Sequence, residues 1–128
     1  MKKKIINTPD APAPIGPYSQ AVQVDNTLFL SGQVAINPET GNLETGDIQT
    51  ETNQVMQNLK AVLKSAGMDF TNVVKTTIFL SYMTLFSAVN EVYGKYFSSD
   101  FPARETVAVK TLPKSVNVEI SMVAVNGW

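Results

Sequence analysis

Two charged residues near the end of the chain stand out by type and place. Arg104 is the only arginine; the other nine cationic side chains are lysines. It closes the run Phe101-Pro102-Ala103-Arg104. Glu119 sits inside Val116-Asn117-Val118-Glu119-Ile120-Ser121-Met122-Val123-Ala124-Val125, an otherwise apolar, β-branched run. A guanidinium offers a planar fork suited to bidentate capture of a carboxylate. A carboxylate set in such a strand can orient or deprotonate water. The competing uses are structural: an ion pair between Arg104 and one of the eleven acids, and for Glu119 a surface carboxylate on an edge strand. Glu105, next to Arg104 in a strand, points to the other face and is a poor partner for it.

Three further places could assist. Ser31-Gly32 offers a hydroxyl and a close backbone N–H, or else a bulge in a strand. Tyr18 could donate its phenol at a pocket, or pack as an aromatic after a turn. Asn90, between Val89 and Glu91 in a helical stretch, could hydrogen-bond a loop or face solvent.

What is missing narrows the chemistry. The chain has no His and no Cys. That leaves no Ser-His-Asp triad, no thiol nucleophile, no disulfide framework and no usual zinc site. Proton transfer must use Asp, Glu, Lys, Tyr, backbone groups or water. A net charge of −1 and a pI near 5.3 supply no field for nucleic acid. Lys2-Lys3-Lys4 reads as a solvated N-terminus, because Ile5-Ile6 runs at once into Asn7-Thr8-Pro9-Asp10 and no signal-peptide core follows. No stretch approaches a membrane span, so a cytoplasmic protein is expected. At 128 residues, one domain over 1–128 is expected.

The positioning elements follow from pattern. Four prolines between residues 7 and 17 keep that segment extended. Residues 18–24 read as the first strand, Asp25-Asn26 as a turn, and residues 27–35 as the strand that returns. Asp47 is an N-cap for a helix with Val55, Leu59, Val62, Leu63 and Ala66 on one face, and Gly67 stops it. Residues 73–81 form a strand. Thr84 caps a second helix with the stripe Phe86, Val89, Tyr93, Tyr96, Phe97, and Ser98-Ser99-Asp100 ends it. The order predicts an α+β fold: a mixed, mostly antiparallel sheet with two helices packed on one face.

In the last strand Val116, Val118, Ile120, Met122 and Ala124 share the face that suits the helices. Asn117, Glu119, Ser121, Val123 and Val125 share the other. That face is too apolar for bulk water and too polar for a closed core, which predicts a closed oligomer. If Leu112-Pro113-Lys114-Ser115 is a hairpin turn, Ala108 faces Glu119, Thr106 faces Ser121 and Arg104 faces Val123. Arg104 and Glu119 would then share a face, offset by roughly 13 Å at about 3.3 Å per residue.

Together, Ile15-Gly16-Pro17-Tyr18-Ser19-Gln20-Ala21, Ser31-Gly32-Gln33, Asn37-Pro38-Glu39-Thr40-Gly41, Val74-Lys75-Thr76-Thr77, Asn90 with Tyr93, Phe101-Pro102-Ala103-Arg104, Leu112-Pro113-Lys114 and Val118-Glu119-Ile120 closely resemble the Rid family of reactive intermediate deaminases, also called YjgF. The resemblance covers nearly the whole chain in order. It implies a chorismate-mutase-like fold and a homotrimer with active sites between subunits. The implied activity is cofactor-free, metal-free hydrolysis of reactive 2-enamine and 2-imine acids, such as 2-aminoacrylate, to 2-oxo acids and ammonia, a detoxification of metabolites. By position, Arg104 would hold the substrate carboxylate and Glu119 the attacking water. Tyr18, Ser31 and Gly32 would line the pocket, with Asn90 supporting it. Archetypal members carry a small hydroxyl residue and then Cys after the arginine; this chain has Glu105 and Thr106, and Thr106 would lie on the pocket face. A binding protein that senses a 2-oxo or amino acid without turnover is the alternative, and a translation inhibitor or ribonuclease the third.

Overall fold

The computed structural model describes residues 2–127. Its strands are β1 (Lys3–Ile6), β2 (Ala21–Val24), β3 (Thr27–Gln33), β4 (Val73–Leu80), β5 (Ala103–Ala108) and β6 (Val118–Val125). They form one mixed sheet in the order β1-β2-β3-β6-β4-β5, and only the β4–β5 pair is parallel. With helices α1 (Ile48–Ser65) and α2 (Phe86–Gly94), the architecture is the expected α+β.

Helix α1 begins and ends where its sequence directs. The Asp47 carboxylate accepts a hydrogen bond from Thr50 N at 2.7 Å, which satisfies one orphan donor of the first turn. Past the helix, Gly67 takes φ +73, a conformation that suits glycine at a helix end. Between them Val55, Leu59, Val62 and Leu63 are fully buried against Leu28, Ile78, Val118 and Ile120 of the sheet. Helix α2 departs from expectation at both ends. Thr84 is not its cap: a 3₁₀ turn at Met83–Leu85 precedes it, and Leu85 caps without a side-chain bond. The turn itself supplies the acceptor, since Phe86 N donates to Met83 O. The helix stops at Gly94, before Ser98, and the chain tightens into i→i−3 bonds from Tyr96 N and Phe97 N.

The N-terminal half differs in two places. The lysines at 3 and 4 are exposed, as a solvated terminus requires, yet they belong to edge strand β1, where lysine discourages pairing with other chains. The strand expected from Tyr18 begins only at Ala21. Gln20 is buried and turned instead to the proline-rich segment: it accepts from Thr8 N at 2.7 Å and donates to Thr8 O at 3.0 Å and Pro12 O at 2.9 Å.

The largest correction concerns the end of the chain. Strands β5 and β6 are not a hairpin. Strand β5 runs parallel to β4, with Arg104 level with Thr76, while β6 lies on the other side of β4, with Glu119 level with Phe79. A strand, a helix and a strand in succession make a crossover, the connection that two parallel neighbours require. The segment 109–117 straddles the end of β4: Val109 N donates to Leu80 O, and Ser81 N donates to Asn117 O. Within it Lys114 and Ser115 both take positive φ (57° and 55°), a conformation uncommon for such residues.

Glu51, fully buried in the first turn of α1, fixes where β6 begins. Its carboxylate accepts from Asn117 N at 2.7 Å, Asn117 Nδ2 at 3.0 Å and Val118 N at 3.2 Å. These donors replace the water that a buried carboxylate loses. The sheet face turned from the helices carries Phe29, Phe79, Val107, Val123 and Val125, of which Phe29 and Val107 are exposed. No helix of the described residues is long and apolar enough to cross a membrane.

Candidate functional site

Thr76, Ile78 and Leu80 of β4 point to the helices. Arg104, level with Thr76, and Thr106, level with Ile78, therefore lie on the helix side of the sheet. There α2 presents Phe86, Asn90 and Tyr93 at i, i+4 and i+7, a single stripe. Arg104 Nη1 donates to Asn90 Oδ1 at 2.7 Å. Its Cζ lies 5.6 Å from the Phe86 ring centroid and 5.1 Å from that of Tyr93. Tyr93 is buried and its hydroxyl donates to Thr76 Oγ1 at 3.0 Å. Burial pushes the Tyr93 phenol up, with the Thr76 bond and the Arg104 charge opposing.

Arg104 has no carboxylate partner among the described residues. Glu105 points to the other face, as expected, where it pairs with Lys75 at 2.9 Å and accepts from Thr77 Oγ1. These bonds hold the Glu105 carboxyl below its ordinary range. Asn90, Tyr93, Gly94, Phe101, Pro102 and Arg104 line a cavity of about 500 Å³, the size of a small-molecule site. On the same strand face the Thr106 hydroxyl is buried and has no hydrogen-bond partner. Such an orphan costs about 1–3 kcal/mol.

Glu119 stands elsewhere. It is on β6, a central strand and not the edge strand of its structural reading, and it faces away from the helices. Partial burial raises its pKa. Beside it the β3–β6 register shifts between Leu30 and Gln33, so Ser31-Gly32 is the expected bulge. The close approach there is real: a Cβ built on Gly32 would lie 2.1 Å from Glu119 Oε2. Ser31 Oγ donates to Ser19 O at 2.6 Å and Ser31 N donates to Gln20 O at 2.9 Å, which ties the segment after Tyr18 to the bulge. Tyr18 itself is exposed.

The predicted residues thus fall into two groups. Arg104, Asn90 and Thr106 form one on the helix side. Glu119 and Gly32 form the other on the open face, with Ser31 in the same bulge and Tyr18 leading into it. The expectation that Arg104 and Glu119 share a face fails, because it rested on the hairpin register. Phe86, Tyr93 and Thr76 join the arginine group unforeseen; the helical stripe of Phe86 and Tyr93 reads equally as core. Among the described residues no three or more His, Cys, Asp or Glu side chains cluster as a metal site would need.

Residues 8–126 match the sequence model of the family described as Endoribonuclease L-PSP. The human protein named 2-iminobutanoate/2-iminopropanoate deaminase is 48% identical over 125 residues, 98% of this chain and 91% of that protein. A Yersinia pestis structure described as a protein of unknown function of the conserved Rid protein family superposes with a TM-score of 0.95 at 47% identity, covering 98% of this chain and all of that one. The Escherichia coli TdcF structure with bound serine gives a TM-score of 0.93 at 37% identity, covering 97% and 99%.

Proposed function

The chain belongs to the Rid family, the family of the Endoribonuclease L-PSP model, and from that premise we propose that it is a cytoplasmic deaminase of 2-imino and 2-enamino acids. The observation that carries this reading is the state of Arg104. Its guanidinium is held by Asn90, Phe86 and Tyr93, all uncharged, beside an open cavity, so its charge is left for an anionic ligand. Curated relatives at 48–51% identity named for 2-iminobutanoate and 2-iminopropanoate supply the anion's class.

The chemistry fits these residues. Arg104 binds the carboxylate and fixes the C=N carbon. Thr106 lies on the same strand face as Arg104, two residues on, with its buried hydroxyl unpaired. An enamine first takes a proton on its terminal carbon and becomes the imine. Water adds to the protonated imine carbon; Glu119 accepts the water proton and returns it to nitrogen. Collapse of the resulting carbinolamine breaks the C–N bond and leaves a 2-oxo acid and ammonium. A positioned water suffices because the protonated imine is already electrophilic. Tyr18, Ser31 and Gly32 form the wall around Glu119.

Since Arg104 and Glu119 lie on opposite faces, the site is completed by pairing the helix side of one subunit with the open face of the next. The exposed Phe29 and Val107 support burial of that open face against other copies, in a homotrimer.

The test couples the protein to a threonine dehydratase. Wild type is expected to speed release of 2-oxobutanoate, and Arg104→Ala to abolish the acceleration. No acceleration by wild type sinks the reading for these substrates. The serine bound to the E. coli relative favours a second reading, a sensor of amino or 2-oxo acids. That protein would be stabilised by ligand and give no turnover. For a ribonuclease the acidic pI and absence of His leave neither a basic groove nor the usual proton shuttle.

A further inference from the structure

We propose that Phe86 and Tyr93 are positioning residues that hold Arg104 in its ligand-ready conformation before any ligand arrives. This rests on reading Arg104 as the carboxylate clamp. The two rings are seven residues apart on α2, about 10.5 Å of helix rise. The guanidinium carbon lies 5.6 Å from one centroid and 5.1 Å from the other, so it is suspended between them along the helix. Asn90, between the rings in sequence, takes Nη1 at 2.7 Å and sets the rotation of the fork.

The bracket is itself anchored. The Tyr93 hydroxyl is bound to Thr76 Oγ1, and Thr76 is the β4 residue level with Arg104. The ring is therefore fixed to the strand position beside the arginine's own backbone. Tyr93 also packs on Phe97, with centroids 4.8 Å apart. A carboxylate in place of these groups would hold the arginine and also neutralise it. Rings and an amide hold it through the ring quadrupole and one hydrogen bond, and leave the charge in place. A long side chain ordered in advance loses less freedom when the ligand binds.

The chain's single arginine permits a direct test. Arg104 gives the only arginine Nε–Hε signal in the NMR spectrum. In wild type that signal is expected away from the free-arginine position, displaced by the ring currents. In Phe86→Leu and Tyr93→Leu it moves toward the free value, and Tyr93→Phe, which keeps the ring, falls between. KM for 2-iminobutanoate rises about two- to thirty-fold in the leucine variants, with kcat changed less. If Tyr93→Leu does not fold, Phe86→Leu, at the less buried end of the bracket, carries the same expectation. A signal at the wild-type position in the folded leucine variants overturns the proposal, as does an unchanged KM. The spectrum needs no substrate, so failure of the deaminase reading and failure of the bracket are seen separately.

Discussion

Arg104 and Glu119 stand on opposite faces of the sheet, on strands that flank β4 from its two sides. Arg104 is level with Thr76, which faces the helices; Glu119 is level with Phe79, three residues on and facing away. Since side chains alternate along a strand, no rotamer brings both to one small ligand within a single chain. If both act on one substrate, each site takes its arginine from one subunit and its glutamate from another.

That arrangement predicts complementation. Arg104→Ala and Glu119→Gln are each expected to be inactive. When equal amounts are unfolded and refolded together, a mixed trimer of the proposed kind would hold one junction between an intact arginine side and an intact glutamate side. Three quarters of random trimers are mixed, each with one site of three, so about a quarter of wild-type activity should return. Activity that stays at the level of the single variants would place both residues in one chain's site, or remove one of them from the chemistry.

Glu119 also sets a pH dependence. Its partial burial raises its pKa in the folded state. The folded protein thus binds this proton more tightly than the unfolded chain. The stabilisation is fully present below the unfolded pKa and is lost as pH rises through the folded one. Wild type should therefore lose stability relative to Glu119→Gln on going from pH 4 to pH 7, as read by thermal unfolding of both at each pH. In activity, the acidic limb of kcat/KM should lie above the ordinary glutamate range if, as proposed, the ionised form accepts the water proton. A stability difference between the two proteins that does not change with pH would contradict the burial argument.

How far these relations could be read beforehand varies with the element. The span of α1 was legible because Asp47, the 3.6-residue stripe and Gly67 each act locally. The alternation of Val118, Ile120, Met122 and Ala124 marked the buried face of β6 correctly. The Gly32 bulge was legible from a lone glycine in a strand. The partner of β5 was not, since its alternation fits a neighbour on either side and Leu112-Pro113-Lys114-Ser115 carries the residues of a hairpin turn. The β4–α2–β5 crossover sets β5 parallel to β4 but leaves room for β6 between them; β6 lies instead between β3 and β4, so the pairing is decided only in the folded sheet. The Arg104 bracket stayed hidden for a related reason: Phe86 and Tyr93 at i and i+7 form the same pattern whether they cover a core or hold a cation.

Glu51 is expected to matter for stability and, through it, for the position of Glu119. Glu51→Ala leaves Asn117 N and Val118 N without their acceptor and should cost about 2–4 kcal/mol in urea unfolding. Glu51→Gln keeps one acceptor oxygen and should cost less. Because β6 starts at Val118, one residue before Glu119, activity should fall with stability in the alanine variant. An alanine variant as stable as wild type would show that the three donors find other partners.

Gly32→Ala separates the placement of the Glu119 carboxylate from the fold. Gly32 does not need a positive φ, so its backbone accepts alanine. The new Cβ would meet Glu119 Oε2 at 2.1 Å, Cδ at 2.9 Å and Cγ at 3.0 Å. All three atoms belong to one flexible side chain, which can swing away while both strands stay in place. The expected result is a protein that unfolds within a few degrees of wild type and has lost roughly as much activity as Glu119→Gln. Adding Gly32→Ala to Glu119→Ala should then change neither stability nor residual activity appreciably, because the three nearest atoms that the new Cβ would meet all belong to the Glu119 side chain. A fully active Gly32→Ala protein would mean that Glu119 does its work from the displaced position, and the close approach at the bulge would have no part in placing the water.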